Sequence, residues 1–167
     1  MSKLQKNINL AAEQALNSTQ TFRHGAVITG PGGKVICKGF NKGNRTKILN
    51  KIFTCTHAEI DVLNKLTNQL KHKYGKKYKE NFSKYCLWVT RIEKDQTYGL
   101  TKAYSKPCFY CAKLLQEYGI KRVYYSLNNF NVVCEKTKNI DLSSSHKSDC
   151  QLKSEQVNTS HKLKAYF

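Results

Sequence analysis

The feature that most narrows what this chain can fold into is a pair of short motifs far apart in sequence. They are His57-Ala58-Glu59 and Pro107-Cys108-Phe109-Tyr110-Cys111. One imidazole and two thiolates, here His57, Cys108 and Cys111, can hold a zinc ion through three protein ligands. The fourth tetrahedral position then stays open to water, as in catalytic rather than closed structural zinc sites. Glu59, two residues beyond the His, can reach that water without being a ligand, which suits a general acid–base. Any fold of this chain must therefore bring two distant segments into contact. Each half alone is weak. A Cys-x-x-Cys is often a redox pair or half of a four-cysteine site, and a His-x-Glu is usually part of a polar surface. Cys55 is a rival ligand, but its side chain precedes the predicted helix. The specificity lies in the two motifs occurring together, in this order, at the starts of two predicted helices.

Together the motifs form the H-x-E…P-C-x-x-C signature of zinc-dependent nucleobase deaminases. On these residues the chain resembles the cytidine deaminase superfamily, over roughly residues 4–135. The resemblance implies a three-layer α/β/α cytidine deaminase-like fold with a mixed five-stranded sheet. It implies Zn2+ as cofactor, Glu59 as proton shuttle, and replacement of the exocyclic amine of a base by oxygen. It favours cytosine over adenine. Asn41 in Gly39-Phe40-Asn41 matches a Gly-x-Asn whose Asn hydrogen-bonds the sugar, although Asn also ends strands commonly. Gly25 and Ala26, in Arg23-His24-Gly25-Ala26, would let a base approach the backbone closely; the plainer reading is a strand start. His24 is a pocket group or a structural histidine. Ala58 and Pro107, neighbours of the ligands, complete the expected substrate contacts.

Periodicity outlines the elements. Leu4, Ile8, Ala11, Ala12, Ala15 and Leu16 recur at helical spacing. Residues 25–29 and 34–40 read as a hairpin through Gly30-Pro31-Gly32-Gly33. His57 opens a second helix that turns Ile60, Leu63, Leu66 and Leu70 inward. Residues 85–92 read as a central strand, Pro107 as the first turn of a third helix, Gly119 as its C-cap, and 120–127 as the next strand. Both motifs thus fall at helix N-termini, where the macrodipole and backbone N–H groups favour thiolates. Asn128-Asn129 reads as a two-residue turn into a strand over 130–135, and strands joined that closely must be antiparallel. This hairpin resembles free cytidine deaminases, blasticidin deaminase and several bacterial toxin deaminases rather than the branches with parallel strands. Residues 93–106 are an insertion expected at the mouth of the site. With Arg91, Gly99-Leu100 and Ser105-Lys106-Pro107-Cys108, it resembles a deaminase group of large DNA viruses and some microbes. The expected organisation is a catalytic domain over 1–135 and a polar, basic, poorly packed tail over 136–167 that contains Ser143-Ser144-Ser145.

Charge bears on the partner. Lys and Arg number 29 against 11 Asp and Glu, a net charge of +18, which attracts polyanions. An AT-rich codon bias would raise Lys and Asn, but it would raise Glu as well, and Glu is scarce. In residues 71–84, Lys73, Lys76, Lys77 and Lys79 surround Tyr74, Tyr78 and Phe82. Cations and stacking faces in that mixture hold single strands; the same spacing also describes one buried face of a short helix with solvated lysines. Arg23, Arg45, Lys102, Tyr104 and Lys106 complete the candidate nucleic-acid contacts. The expected partner is single-stranded DNA or RNA, with the target base unstacked into a pocket. A deaminase of free cytidine, CMP, dCMP or a base analogue is the alternative. A non-catalytic, zinc-stapled nucleic-acid binder is a third reading, against which Glu59 stands. No apolar run approaches the roughly 20 residues of a membrane span, and the N-terminus lacks a signal-peptide pattern. The cysteines number seven, an odd count without a regular framework. They are expected to be reduced or metal-bound in an intracellular, cytoplasmic or nuclear, non-secreted protein.

Overall fold

The first helix, α1 (Lys3–Ala15), starts where Ser2 Oγ accepts a hydrogen bond from the Gln5 N–H at 3.2 Å. That satisfies a donor no helical carbonyl reaches. In the computed structural model, which describes residues 1–48, 51–96, 99–128, 131–148 and 152, α1 buries Ile8, Ala11 and Ala15. Leu4 and Leu16, expected on the same stripe, are exposed. The small residues let α1 lie close on strand β1 (Arg23–Thr29). The approach is so close that a Cβ on Gly25 would sit 2.0 Å from the Ala11 carbonyl oxygen.

Strand β2 (Val35–Phe40) returns antiparallel to β1 through a turn at Pro31–Gly33. A separate ribbon follows, β3 (Thr46–Ile48) with β4 (Lys51–Phe53). Then comes α2 (Ala58–Tyr74). The long strand β5 (Cys86–Asp95) takes the other edge of β1, and β6 (Gly99–Ala103) folds back onto it. After α3 (Phe109–Tyr118), β7 (Arg122–Ser126) pairs parallel to β5, and β8 (Val132–Lys136) pairs antiparallel to β7. The main path is β2-β1-β5-β7-β8, with β6 attached to β5. This is the expected mixed five-stranded sheet with one added strand.

Side-chain alternation along β1 divides the core into two layers. Val27 joins Ile8, Ala11 and Trp88 beneath α1. Ala26 and Ile28 join Leu63 and Leu66 of α2, Leu87 and Val89 of β5, and Cys111 and Leu115 of α3. The four inward positions expected on α2, Ile60, Leu63, Leu66 and Leu70, are all buried. Gly119 ends α3 in the left-handed conformation (φ 73°, ψ 31°), which L side chains rarely adopt.

Several expectations are corrected. The 93–106 insertion stands at the site only in part: Tyr104 and Lys106 at its end line a cleft beside His57 and Cys108, whereas its earlier part pairs away from it. β5 runs on past the end of β7, and β6 closes against the edge left there. On this pair Leu100, Thr101 and Lys102 border a groove against α1. The β7–β8 pair is antiparallel as expected, but its connection spans five residues, 127–131, with the Leu127 N–H bonded to the Asn131 carbonyl at 2.8 Å. Pro107 precedes the cap of α3 rather than entering its first turn. In the 71–84 segment Phe82 is buried, and Tyr74 and Tyr78 pack against the core. Lys71 and Lys73 lie over the rings of Tyr78 and Tyr74. The spacing of four there is a buried face with a solvated lysine side. The segment from Lys136 is not loose as far as Ser148. Thr137 and Ile140 are buried, and Gln116 Nε2 of α3 donates to both their carbonyl oxygens, at 3.0 and 2.9 Å. Residues 149–151 and 153–167 of the expected tail lie outside the described residues.

Asp61 in the first turn of α2 ties that helix to the sheet. It accepts from Lys42 Nζ at 2.8 Å, Lys65 Nζ at 2.9 Å and the Phe40 N–H at 3.3 Å. Burial pushes its carboxyl up, but the two lysines outweigh burial and hold it below the ordinary aspartate value. A lowered folded pKa gives stability that is complete above the unfolded value and is lost as pH falls through the folded one. Asp61→Asn is expected to cost about 1–2 kcal/mol at neutral pH, discounted because both lysines are partly solvated. Urea unfolding of the two proteins should converge once the pH falls below the ordinary aspartate range; a gap constant with pH would assign the loss to packing. Gly25→Ala should cost about 1–3 kcal/mol through overpacking against α1, and unchanged thermal unfolding would refute that close approach.

Candidate active site

His57 and Cys108 are the N-cap residues of α2 and α3. Both have extended backbones, with φ −71° and ψ 156° at His57 and φ −69° and ψ 168° at Cys108. Their carbonyls accept the first helical bonds, from the Asp61 N–H at 3.0 Å and the Ala112 N–H at 2.8 Å. Neither side chain caps its own helix, and the two are turned toward each other. His57 Nδ1 lies 3.4 Å from Cys108 Sγ and 3.4 Å from Cys111 Sγ. Zinc bound tetrahedrally, with bonds of about 2.3 Å to sulfur and about 2.0–2.1 Å to nitrogen, holds such atoms about 3.6 Å apart. The three residues fit zinc in donor chemistry and in spacing, and their ligand atoms all lie within 4.8 Å of one another.

The electrostatics of the metal-free cluster follow from its burial. Burial would raise the Cys108 thiol, but hydrogen bonds with Cys111 and His57 hold it well below its ordinary value. Cys111 is pushed the other way, by sharing its proton with Cys108 and by burial. His57 is raised to about 9: burial works against its charge, and the Cys108 thiolate more than compensates. One thiolate beside an imidazolium is thus assembled at two helix N-termini. Burial pushes the Glu59 carboxyl up, with the His57 charge opposing. A carboxyl so placed exchanges protons closer to neutrality than an exposed one.

A cleft of about 590 Å³ opens beside the cluster. Of the residues singled out from sequence, His24, Asn41, Ala58, Glu59, Tyr104 and Lys106 line it together with His57 and Cys108. Asn41 also clasps the start of β1. Its Oδ1 accepts from the His24 N–H at 2.8 Å and its Nδ2 donates to the Phe22 carbonyl at 2.7 Å. An amide has two lone pairs and two N–H groups, so half of its capacity remains for a ligand.

Gly25 and Ala26 do not reach the cleft. Gly25 faces α1, and Ala26 is fully buried in the core. Pro107 is buried ahead of the α3 cap. Arg23 is paired within the sheet opposite Ile92, and Arg45 is exposed just before β3. Lys102 borders the groove under α1, on the opposite face of the sheet. Lys73, Lys76 and Lys77 lie at the far end of the 17-residue α2, about 25 Å from His57 at 1.5 Å per residue.

Periodicity and motif spacing gave no signal for several residues that shape the site. Ser105 pins the chain ahead of Cys108: its Oγ donates to the Val89 carbonyl at 2.9 Å and accepts from the Ser126 N–H at 2.9 Å. Phe22, His146, Lys147 and Ser148 line the cleft, as does Arg91, which the sequence singled out only through a resemblance. Cys55 lines it too but is disulfide-bonded. That corrects the expectation of reduced or metal-bound thiols and removes Cys55 as a rival ligand; Cys37, Cys86 and Cys134 are thiols as expected.

Among the described residues no helix is long and apolar enough to cross a membrane. No curated protein matches the chain. Among solved structures it is similar to the dCMP deaminase of the cyanophage S-TIM5 in apo form, with a TM-score of 0.46 and 17% identity over 75% of this chain and 83% of that one. At that distance the likeness says nothing about substrate. The profile of the cytidine and deoxycytidylate deaminase zinc-binding region matches residues 1–127, which include all three ligands and Glu59. On that match, and on the zinc-shaped cluster at its two helix N-termini, the chain belongs to the cytidine and deoxycytidylate deaminase family.

Proposed function

We propose that this zinc-dependent deaminase converts cytosine to uracil in single-stranded nucleic acid. The observation that carries the reading is the composition of the cleft around the metal ligands. Phe22 and Tyr104, 55% and 43% exposed, stand with Arg91, Lys106 and Lys147 along it. The Arg91 guanidinium lies 4.8 Å from the Phe22 ring centroid. Aromatic faces stack bases and cations hold the backbone in single-strand binders, and an unpaired base enters a closed pocket without the cost of opening a duplex. The net charge of +18 supports the same class of partner.

When bound, zinc supplies the Lewis-acid chemistry that brings the pKa of water toward neutrality. The remaining steps belong to the protein. Glu59 takes a proton from the attacking water and delivers it to the ring nitrogen. It then takes the remaining proton from the hydroxyl added to the ring carbon and gives it to the leaving amine; the carbon–nitrogen bond breaks as the carbonyl forms, so that cytosine and water become uracil and ammonia. His57, Cys108 and Cys111 hold the metal, and the Asn41 amide groups left over from the β1 clasp orient the sugar in this reading.

A second reading, deamination of a free cytidine nucleotide, is favoured by the position of Lys73, Lys76 and Lys77. They lie at the far end of α2 from the cleft, so the most basic segment does not adjoin the site.

Incubation with a cytosine-containing single-stranded oligonucleotide, in parallel with cytidine, CMP and dCMP, tests the choice by uracil release. Conversion of the oligonucleotide is expected, with binding that weakens steeply as salt rises. Glu59→Ala should reduce it by about 10²–10⁴-fold while retaining zinc and fold. Conversion of the small substrates alone would overturn the polynucleotide reading. The metal site makes a separate prediction. His57 and Cys111 both hold protons at neutral pH in the metal-free site, so zinc binding must release them. Zinc affinity in chelator competition should fall as pH is lowered from about 8 to about 6, with proton release in weak buffer; a pH-independent affinity would refute this protonation pattern.

A further inference from the structure

The segment after β8 lies beyond the family match, which ends at residue 127, yet it reaches the metal ligands. Its anchors are strong. Thr137 Oγ1 donates to the Ile120 carbonyl, Ile140 is buried, and Leu142 packs against the core cluster. Asp141 then organises a tight turn. Its Oδ1 accepts from the Ser143 N–H at 2.9 Å and the Ser143 hydroxyl at 2.7 Å, and its carbonyl accepts from Ser144 and Ser145 Oγ. The turn delivers His146 to the start of α3, where its carbonyl accepts the Phe109 N–H at 2.9 Å. Two residues later Ser148 Oγ lies 3.4 Å from His57 Nε2, on the ring nitrogen away from the two cysteine sulfurs.

We infer that this segment completes the metal centre and that Ser148 is a positioning residue for His57. The argument is one of tautomer and orientation. With Nδ1 directed at the metal position, the neutral ring carries its proton on Nε2, and that N–H donates to Ser148 Oγ. A metal-ligating histidine held at its second nitrogen is fixed in ring rotation and tautomer, and loss of such a partner typically costs 10–100-fold in metal affinity or activity. The His146 carbonyl acts on the other motif, occupying an α3 N-terminal donor next to Cys108. The family's ligands are therefore braced by a part of this chain that the family profile does not include. The inference rests on the zinc site and is independent of which base or nucleotide is the substrate.

The test uses the full-length zinc-loaded protein and three versions of it: wild type, Ser148→Ala and Ser148→Thr. Zinc affinity is measured by chelator competition at fixed pH, and the His57 ring nitrogens by ¹⁵N NMR. Ser148→Ala should weaken zinc binding about tenfold, the low end for such partners because the contact is long. It should also shift the His57 Nε2 resonance while thermal unfolding of the metal-free protein stays unchanged. Ser148→Thr, which keeps the hydroxyl, should restore both zinc readouts. Zinc affinity within twofold of wild type and an unmoved His57 signal in Ser148→Ala would overturn the assignment. So would a loss in Ser148→Ala that Ser148→Thr fails to restore. A catalytic defect without change in zinc affinity or ring signal would equally overturn it, since that pattern belongs to a substrate contact.

Discussion

The organising constraint is the meeting of two helix N-termini over the edge of the sheet. Bringing two thiols, an imidazole and a carboxyl out of water is expensive unless their charges are compensated. Here the compensation comes from backbone. His57 and Cys108 each sit where the chain turns into a helix, so first-turn N–H groups and both macrodipoles face the anionic cluster. The sheet has to hold those helix ends at a fixed separation, and close packing does so. Gly25 admits α1 against one face of β1. Gly39 admits α2 against the other side, where a Cβ would sit 2.3 Å from Asp61 Oδ2. The Ser105–Ser126 pair fixes the strand-to-helix passage into Cys108. None of these residues touches a ligand, yet each removes a freedom that would let the cluster drift apart.

The chemistry was the most legible part of the sequence, because zinc demands a few residue types at a few spacings and tolerates little substitution. His57, Glu59, Cys108 and Cys111 could be named from pattern alone, and the long apolar runs of α2 and the central strand followed from periodicity. What could not be read were relations that have no period. Gly25 looks the same whether it makes room for a ligand or for a helix; only the three-dimensional position of α1 decides. Tyr74, Tyr78 and Phe82 share one spacing under either reading, and burial resolved it in favour of the core. Within the 93–106 insertion, β6 is drawn onto β5 because β7 is shorter than β5 and leaves an edge to be paired, so only Tyr104 and Lys106 beyond β6 reach the cleft, a fact about strand lengths rather than composition. The polar composition of 136–148 pointed to a loose tail, whereas two apolar side chains, Ile140 and Leu142, and the Gln116 hydrogen bonds are enough to fasten it.

The distribution of charge refines what an excess of lysine means. Much of it solvates the outer side of α2 and the segment after it, and there the nearest partners are tyrosine rings of the same segment. The cations that line the cleft are fewer: Arg91, Lys106 and Lys147, each contributed by a different part of the chain. Lys106 is held loosely by Glu135 at 3.9 Å, and Arg91 by Glu93 at 2.9 Å. Such pairs are worth little in water, so these acids orient the cations while leaving their charge at the cleft.

The packing of residues 137–148 also fixes when the centre can form during synthesis. A chain emerges from its N-terminus, and earlier segments fold first. His57 and the two cysteines are made well before Ser148, so α1, the sheet and α2 can assemble around a cluster whose last wall is still missing. For that interval the two thiols face an unfinished cleft, open to oxidants and to metals other than the one they are shaped for. The late segment then adds the wall that sets Ser148 beside His57.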